Sequence, residues 1–378
     1  MALNTYQQIT ELINRSRNIL ITTPNQDSGD ASAAALALLI VLKQNSQPAD
    51  VVVSERIKNK LNFINASNQF KTAVSALKKF IISVNISKNK INEFSYDIKD
   101  DQLNIFIVPE KGQLNQKDIA VNSGNFKYDL IITINCADME SIGNLYINNT
   151  DFFYNTPIIN IDNNPANEYF GQINLIDLNS ASCAEITYEL IKNCYPKSLT
   201  EDIATCLLTG TIIKTKNFRQ PSITPRSLNL AAELIDLGAD KNAINQNLYH
   251  KSLPTLNLWG RVLARLKQDL HYKLAWSLIS QSDFEKSNTN ESHIEGVVEE
   301  LISNSPQTEI VLILFEKNNH KISGYIYSSP NYNSINLTRP YHPIGTKSRA
   351  EFELETEKLI DAEQTIVNYL RQQIKPGH

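Results

Sequence analysis

The stretch Ile161-Asp162-Asn163-Asn164-Pro165-Ala166-Asn167 places one carboxylate and two amides directly after the apolar run Pro157-Ile-Ile-Asn-Ile161. A carboxylate is a good ligand for a hard cation, whereas asparagine is a neutral and weaker one. A plainer use is also open: Asp162 bonding backbone at a strand end, and Asn163 and Asn164 making turn contacts, because asparagine readily bonds its own backbone. Imidazole is missing from this part of the chain. All six histidines (His250, His271, His293, His320, His342 and His378) lie at or after position 250.

These residues need elements to position them. Residues 6–17 read as an amphipathic helix and residues 18–23 as a buried strand. Residues 24–29 form a polar loop of turn formers. A helix follows over residues 30–43, with Asp30 at its start, where an acid suits the macrodipole. Residues 50–54 read as the next strand. This order predicts a parallel sheet with crossover helices. Further strands are expected at 103–108, 128–134 and 157–161, and helices at 182–193 and 203–213. Short continuous apolar runs such as Leu130–Ile134 suit strands buried on both faces.

The reading is therefore an α/β chain in three parts: a parallel-sheet domain over 1–221, a helical connection over 222–268, and a smaller α/β domain over 269–378. In the last part, strands are expected at 273–279, 309–315 and 321–327. Helices are expected at 294–303 and near 354–373. Trp259 and Tyr249 read as packing residues in the connection.

Composition narrows the classes. The net charge is −4 and the pI about 5.9, so no global basic field holds nucleic acid, although a local patch stays open. No apolar run of membrane-spanning length occurs, and the first residues carry no leader pattern, so a cytoplasmic protein without membrane contact is expected. The four cysteines (Cys136, Cys183, Cys194 and Cys206) form no C-x-x-C pair and read as reduced, mostly buried thiols. Glycine is scarce, 12 residues in 378, which argues against several phosphate-cradling loops.

The segment Pro157-Ile-Ile-Asn-Ile-Asp-Asn-Asn-Pro-Ala-Asn-Glu-Tyr-Phe-Gly171 resembles the signature of the DHH phosphoesterases, a family that includes RecJ-type nucleases and nanoRNase/pAp-phosphatases. The resemblance follows the family's motif order over most of the chain. In active members, a histidine and aspartates from four motifs hold two divalent cations that activate water against a phosphoester. The first motif matches Pro24-Asn-Gln-Asp-Ser-Gly-Asp-Ala-Ser. This match puts Asp30 on the last ligand, Ser28 on the preceding aspartate and Pro24 on the histidine. A one-step slip brings Asp27 into play. The second motif, Ile131-Ile-Thr-Ile-Asn-Cys-Ala-Asp-Met-Glu-Ser-Ile-Gly143, places Asn135 at the ligand, with Asp138 three residues on. In the third motif Asp162 is kept, and Asn163 and Asn164 replace the histidines. In the fourth, Thr209-Gly-Thr-Ile-Ile-Lys-Thr-Lys-Asn-Phe218, Lys214 replaces the aspartate and Arg219 follows.

The last part resembles the family's DHHA1 domain more faintly. His342-Pro-Ile-Gly-Thr-Lys-Ser-Arg-Ala-Glu-Phe352 matches its glycine run, with Gly345 kept, Thr346 in place of the histidine and Arg349 nearby. Tyr327-Ser328 stands where the family has Arg-Ser.

The resemblance implies a catalytically degenerate member with no cofactor. It would bind a nucleotide or short single-stranded nucleic acid, or serve as a scaffold for a protein partner, with a cleft between its domains and a homodimer as a further possibility. Lys214 would stand in for the cations by pairing with Asp30 or Asp162. Two rivals stay open. Asp27, Asp30, Asp138 and Asp162 could gather one Mg2+ or Mn2+, Asp30 and Asp162 being the core ligands, and sustain slow hydrolysis of an oligoribonucleotide or nucleotide. Alternatively, the cleft is closed by side chains and the chain only contacts proteins.

Overall fold

The computed structural model describes residues 3–74, 77–87, 90–220, 223–298, 307–317, 321–356 and 358–374. The chain forms two compact units, Met1–Leu248 and Tyr249–His378.

The first unit opens with α1 (Thr5–Arg15), started by a capping box in which the Asn4 side chain accepts from the Gln7 amide and the Gln7 side chain accepts from the Asn4 amide. There follow β1 (Ile19–Thr22), α2 (Asp30–Gln44), β2 (Ala49–Val52), α3 (Glu55–Lys60) and β3 (Phe70–Lys71). Four strands come next: β4 (Lys78–Val84), β5 (Ile91–Lys99), β6 (Gln102–Pro109) and β7 (Ile119–Phe126). The chain continues through β8 (Leu130–Ile134), α4 (Asn144–Ile147), α5 (Thr150–Asn155), β9 (Ile158–Asp162) and β10 (Ile173–Ile176). Helices α6 (Cys183–Cys194), α7 (Glu201–Lys214), α8 (Pro225–Asp236) and α9 (Lys241–Leu248) complete the unit.

Six of these strands make one parallel sheet in the order β10-β9-β8-β1-β2-β3. Strands β1, β8 and β9 are buried along their whole length, as continuous apolar runs in a doubly covered sheet require. Helix α2 is buried on nearly all sides and packs between the sheet and helices α6 and α7. Its alanines, Ala31, Ala33, Ala34, Ala35 and Ala37, let those neighbours come close.

The sequence places a strand at 103–108, and β6 occupies it, but not in the parallel sheet. Strand β6 pairs antiparallel with β5, and β4 pairs antiparallel with β7, as two separate ribbons between β3 and β8. Of the six residues Leu103-Asn-Ile-Phe-Ile-Val108, three are exposed and none is fully buried, unlike β1, β8 and β9 of the parallel sheet.

The second unit contains α10 (Leu253–Ala264), β11 (Lys267–Asp269), β12 (Leu274–Ile279), α11 (Gln281–Ser287), β13 (Ile310–Glu316) and β14 (Ile322–Ser328). It ends with α12 (Ser334–Leu337), β15 (Ile344–Gly345), β16 (Arg349–Leu354) and α13 (Leu359–Gln373). The sheet order is β11-β12-β13-β14-β16-β15, with only β12 and β13 parallel. Alternate residues of β13 feed two cores: Leu312 and Leu314 meet Ile366 and Leu370, while Ile313 and Phe315 share a cluster with Trp259 and Phe284. Trp259 is 3% exposed and its indole donates to the His293 carbonyl at 2.9 Å.

Stretch 222–268 divides between the units, α8 and α9 in the first and α10 in the second. The helix expected at 294–303 is a 3-10 turn at Glu291–Ile294 where it begins, and its residues 299–303 lie outside the described residues. Among the described residues, no helix is long and apolar enough to cross a membrane.

Candidate functional site

Parallel strands deliver their loops to one edge of the sheet, and in such folds ligands bind at the carboxyl ends of the strands. Here the loops after β1, β8 and β9, which are sheet neighbours, carry Asp27 and Asp30, Asn135 and Asp138, and Asp162 to Asn164. Lys214 ends α7, which packs on α2.

The first loop turns into α2 through Gly29, whose φ of 121° is closed to ordinary side chains. Asp27 bends back so that its Oδ2 accepts from the Ser32 amide at 2.9 Å. Its Oδ1 is buried with no hydrogen-bond partner. Ser28 is exposed, and its carbonyl accepts from Lys60 Nζ at 2.7 Å.

Asp30 is fully buried, and its carboxylate caps a different helix. Oδ2 accepts from the Cys183 amide at 2.9 Å and Oδ1 from the Ala184 amide at 3.2 Å, the first two residues of α6. Gly210 of α7 makes room, since a Cβ there would sit 3.0 Å from Asp30 Oδ1. Burial dominates the titration and lifts the Asp30 carboxyl to about 7. The Cys183 amide and the Lys214 charge pull it down, Asp27 pushes it up, and the Ala184 amide pulls it down again.

Asp162 is equally committed. Its Oδ1 accepts from the amides of Asn163 at 2.7 Å and Asn164 at 3.2 Å, and its Oδ2 from Asn167 Nδ2 at 2.7 Å. Asn164 Oδ1 accepts from the Ala166 amide at 3.0 Å, and Asn163 Nδ2 donates to the Ser180 carbonyl at 2.9 Å. Asp162 and Asn164 thus make the local contacts open to them in the sequence, whereas the Asn163 side chain reaches a distant loop at Ser180.

Sequence reasoning missed the residues that tie the loops together. Thr133 Oγ1 donates to Asn160 Oδ1 at 3.0 Å, Asn160 Nδ2 donates to Asn167 Oδ1 at 3.1 Å, and Asn167 Nδ2 also donates to the Cys136 carbonyl at 2.9 Å. Cys183 is the second tie. Its sulfur lies 3.5 Å from Asn135 Oδ1, 3.7 Å from Asn163 Oδ1 and 4.0 Å from Asp162 Oδ1. Burial pushes the Cys183 thiol well above its ordinary range, so it stays protonated and can donate. A signal was available for Asn160: an amide inside an apolar run must find partners.

Asn135 takes a left-handed backbone, φ 61°, which asparagine tolerates. Asp138 Oδ1 accepts from the Ser141 amide at 2.7 Å, serving its own turn. Lys214 is half-buried, and its charge lowers the Asp30 titration, yet it makes no ion pair with Asp30 or Asp162 within 4.0 Å. The pairing expected of it is therefore not made: α6 N-H groups hold Asp30, and the backbone amides of Asn163 and Asn164 with the Asn167 side chain hold Asp162.

A pair of divalent cations needs carboxylate lone pairs turned into a shared space. Here both oxygens of Asp30 and both of Asp162 point at N-H donors, and Asp27 Oδ1 is buried with no hydrogen-bond partner. Among the described residues, no three His, Cys, Asp or Glu side chains gather as a metal ion requires. Each oxygen of Asp30 and Asp162 has given a lone pair to an N-H donor, and no histidine lies in the first unit to add an imidazole ligand.

Arg219 is exposed in the first unit, five residues beyond Lys214. The other candidates belong to the second unit. Arg349 lies across from Tyr327 in the β14–β16 pair, with its guanidinium 5.0 Å from the Tyr325 ring centre and 5.4 Å from that of Tyr327. Arg349 also reaches Glu295 at 3.3 Å. Ser328 Oγ lies 2.9 Å from Ser334 Oγ. Gly345 pairs with Ala350 at the sheet edge, and His342 sits exposed in the turn before it. Tyr327, Ser328, Gly345 and Arg349 thus share one corner of the second sheet.

The model of the DHH family, N-terminal domain, matches residues 18–211. The bifunctional oligoribonuclease and PAP phosphatase NrnA of Thermus thermophilus is 34% identical over 107 residues, 28% of this chain and 33% of that protein. The probable bifunctional oligoribonuclease and PAP phosphatase NrnA of Streptococcus mutans is 23% identical over 190 residues, 50% of this chain and 59% of that protein. The matches thus span less than two thirds of these relatives' own lengths. Among solved structures, an exopolyphosphatase-related protein from Bacteroides fragilis shares the fold, with a TM-score of 0.63 at 17% identity, covering 97% of this chain and 96% of that one.

Proposed function

This chain belongs to the DHH family, and on that premise we propose that it is a catalytically degenerate member. In this reading it binds a nucleotide or short single-stranded nucleic acid, or scaffolds a protein partner, without two-metal hydrolysis. One observation carries the reading: Asp30 and Asp162, the carboxylates kept from the family pattern, use all four oxygens on N-H donors within the chain. The ligand class is taken from what the similar proteins are named for, an oligoribonucleotide and the nucleotide PAP.

The substitutions work in the same direction. Asn135, Asn163 and Asn164 supply amides where cations would need anions or imidazoles. Lys214 adds a positive charge to a region whose Asp30 already feels it. A divalent cation several ångströms from that ammonium would meet a repulsion on the order of several kcal/mol at a moderate effective dielectric.

Elemental mass spectrometry of the purified chain, with and without added Mn2+, tests the reading. No stoichiometric metal is expected, together with no release of mononucleotide from a short oligoribonucleotide and no phosphate from PAP. A rise in melting temperature with either compound supports binding. Two equivalents of Mn2+, lost in Asp30→Ala and accompanied by hydrolysis, overturn it. The orphaned Asp27 Oδ1 favours one narrower alternative, a single Mg2+ or Mn2+ site; one equivalent of metal lost on Asp27→Ala would establish that instead.

A further inference from the structure

The ribbon β5–β6 leaves most of one face uncovered. Alternation along the strands puts Phe94, Tyr96 and Ile98 on the same face as their partners Ile107, Ile105 and Leu103. Six apolar side chains therefore stand side by side with no charge among them. Phe94 is 63% exposed, Tyr96 65%, Ile98 70% and Leu103 59%. The opposite face is mixed: Phe106 and Val108 stand there beside Ser95 and Glu93, Asn104 Nδ2 donates to Asp97 Oδ1 at 2.9 Å, and Lys99 reaches Asp97 at 3.3 Å.

A two-stranded hairpin with a bare apolar face is marginal in water and gains stability when that face is packed. We infer that this face is a self-association surface, packed against the same face of a second copy of this chain about a two-fold axis. The areas fit. With a whole-residue area of about 200 Å2 each, the four exposed side chains leave roughly 500 Å2 uncovered per copy. Two copies bring together roughly 1,000 Å2 before Ile105 and Ile107 are added, which reaches the lower bound for a specific interface. A flat, uncharged, apolar face is complementary to itself, and isologous pairing is the commonest way to close such a contact.

Other occupants fit less well. The tip of the ribbon is Asp100-Asp101, between the ends of β5 and β6, and two acids at a leading edge oppose entry into a lipid surface. No cation sits on the apolar face, and on the far face Lys99 is paired with Asp97 beside the further acid Glu93, so phosphate backbones find no surplus of positive charge.

Sedimentation velocity of the full chain across roughly 1 to 100 μM tests the inference, because an interface of this size gives an association in the roughly micromolar range. The wild type should pass from monomer to dimer across that range. The double variant Phe94→Glu/Ile98→Glu should remain monomeric at every concentration, its melting temperature unchanged, since these side chains are not in the core. Ser95→Glu, on the other face of the same strand, should dimerise as the wild type does. A wild type that stays monomeric at 100 μM overturns the inference. So does equal loss in Ser95→Glu, dimerisation that survives the double variant, or a monomer that floats with phosphatidylcholine/phosphatidylglycerol vesicles.

Discussion

Gly210 and Gly260 both lie inside helices, and the same change to alanine should move stability in opposite directions. A Cβ on Gly210 would sit 3.0 Å from the Ala184 Cβ, 3.0 Å from Asp30 Oδ1 and 3.1 Å from the Asp30 carbonyl oxygen. Neither neighbour can yield: Ala184 and Asp30 are fully buried, and the Asp30 carboxylate is held by two α6 amides. Overpacking of this kind costs about 1–3 kcal/mol, while the better helix preference of alanine returns about 1 kcal/mol. Gly210→Ala should therefore lose up to about 2 kcal/mol, a fall of up to about 4–8 °C in melting temperature for a unit of this size. At Gly260, in α10, no atom lies within 4 Å of the added Cβ and the position is exposed, so only the helix preference acts. Gly260→Ala should gain up to about 1 kcal/mol. Calorimetry of the two variants reads both signs. A Gly210→Ala protein that melts at or above the wild type refutes the claim that α2, α6 and α7 close tightly around Asp30.

Asp30 should also leave a pH signature. Its folded titration, near 7, lies above the unfolded value near 3.8, so the stability it contributes is complete below about pH 4 and is lost as pH rises through 7. The whole effect is on the order of 4 kcal/mol. Urea melts between pH 5 and 8 should show a steeper decline for the wild type than for Asp30→Asn, and parallel declines would contradict the assignment. Asp162→Ala leaves three N-H groups without an acceptor, the amides of Asn163 and Asn164 and one N-H of the Asn167 side chain, and should cost about 3 kcal/mol in denaturant unfolding; a loss under about 1 kcal/mol would mean that water replaces the carboxylate. In the second unit, a Cβ on Gly324 would come within 2.5 Å of the Phe352 ring, so Gly324→Ala should destabilise that unit, and Gly324→Ala with Phe352→Leu should recover part of the loss.

The parallel sheet was legible because its strands announce themselves. Leu130–Ile134 is a continuous apolar run between polar loops, and Asp30 opens a helix that is almost wholly apolar. The ribbons were not legible as ribbons. Leu103–Val108 carries the same apolar density as a central strand, and only its pairing with the alternating Phe94-Ser-Tyr-Asp-Ile98 reveals an uncovered face. The loops of the site were found from their acids and amides, but not their wiring. Thr133 meets Asn160 only because β8 and β9 align Thr133 with Asn160 in the sheet, a register that no local pattern encodes. Cys183 looked like an ordinary buried thiol, and it is buried and free; its place at the start of α6, between three loops, is a tertiary fact.

The root of the ribbons bears on how the sheet can fold. Strands β1 and β8 are neighbours in space but far apart along the chain. Bringing distant segments together carries a loop-closure cost that slows folding more than it lowers stability. The inserted chain, however, returns to its own starting point: Lys78 pairs with Phe126, and the Lys127 amide donates to the Leu77 carbonyl at 2.7 Å. Its tip turns through Asp100 and Asp101, both left-handed at φ 51° and 59°, the backbone of a two-residue hairpin turn. Hairpins of this kind zip in microseconds. Once zipped, the insertion holds β8 close behind β3, so the long crossover behaves kinetically as a short one. The same closure makes the ribbons separable in principle: a chain in which Leu77 and Lys127 are joined by a tight turn retains every strand of the parallel sheet.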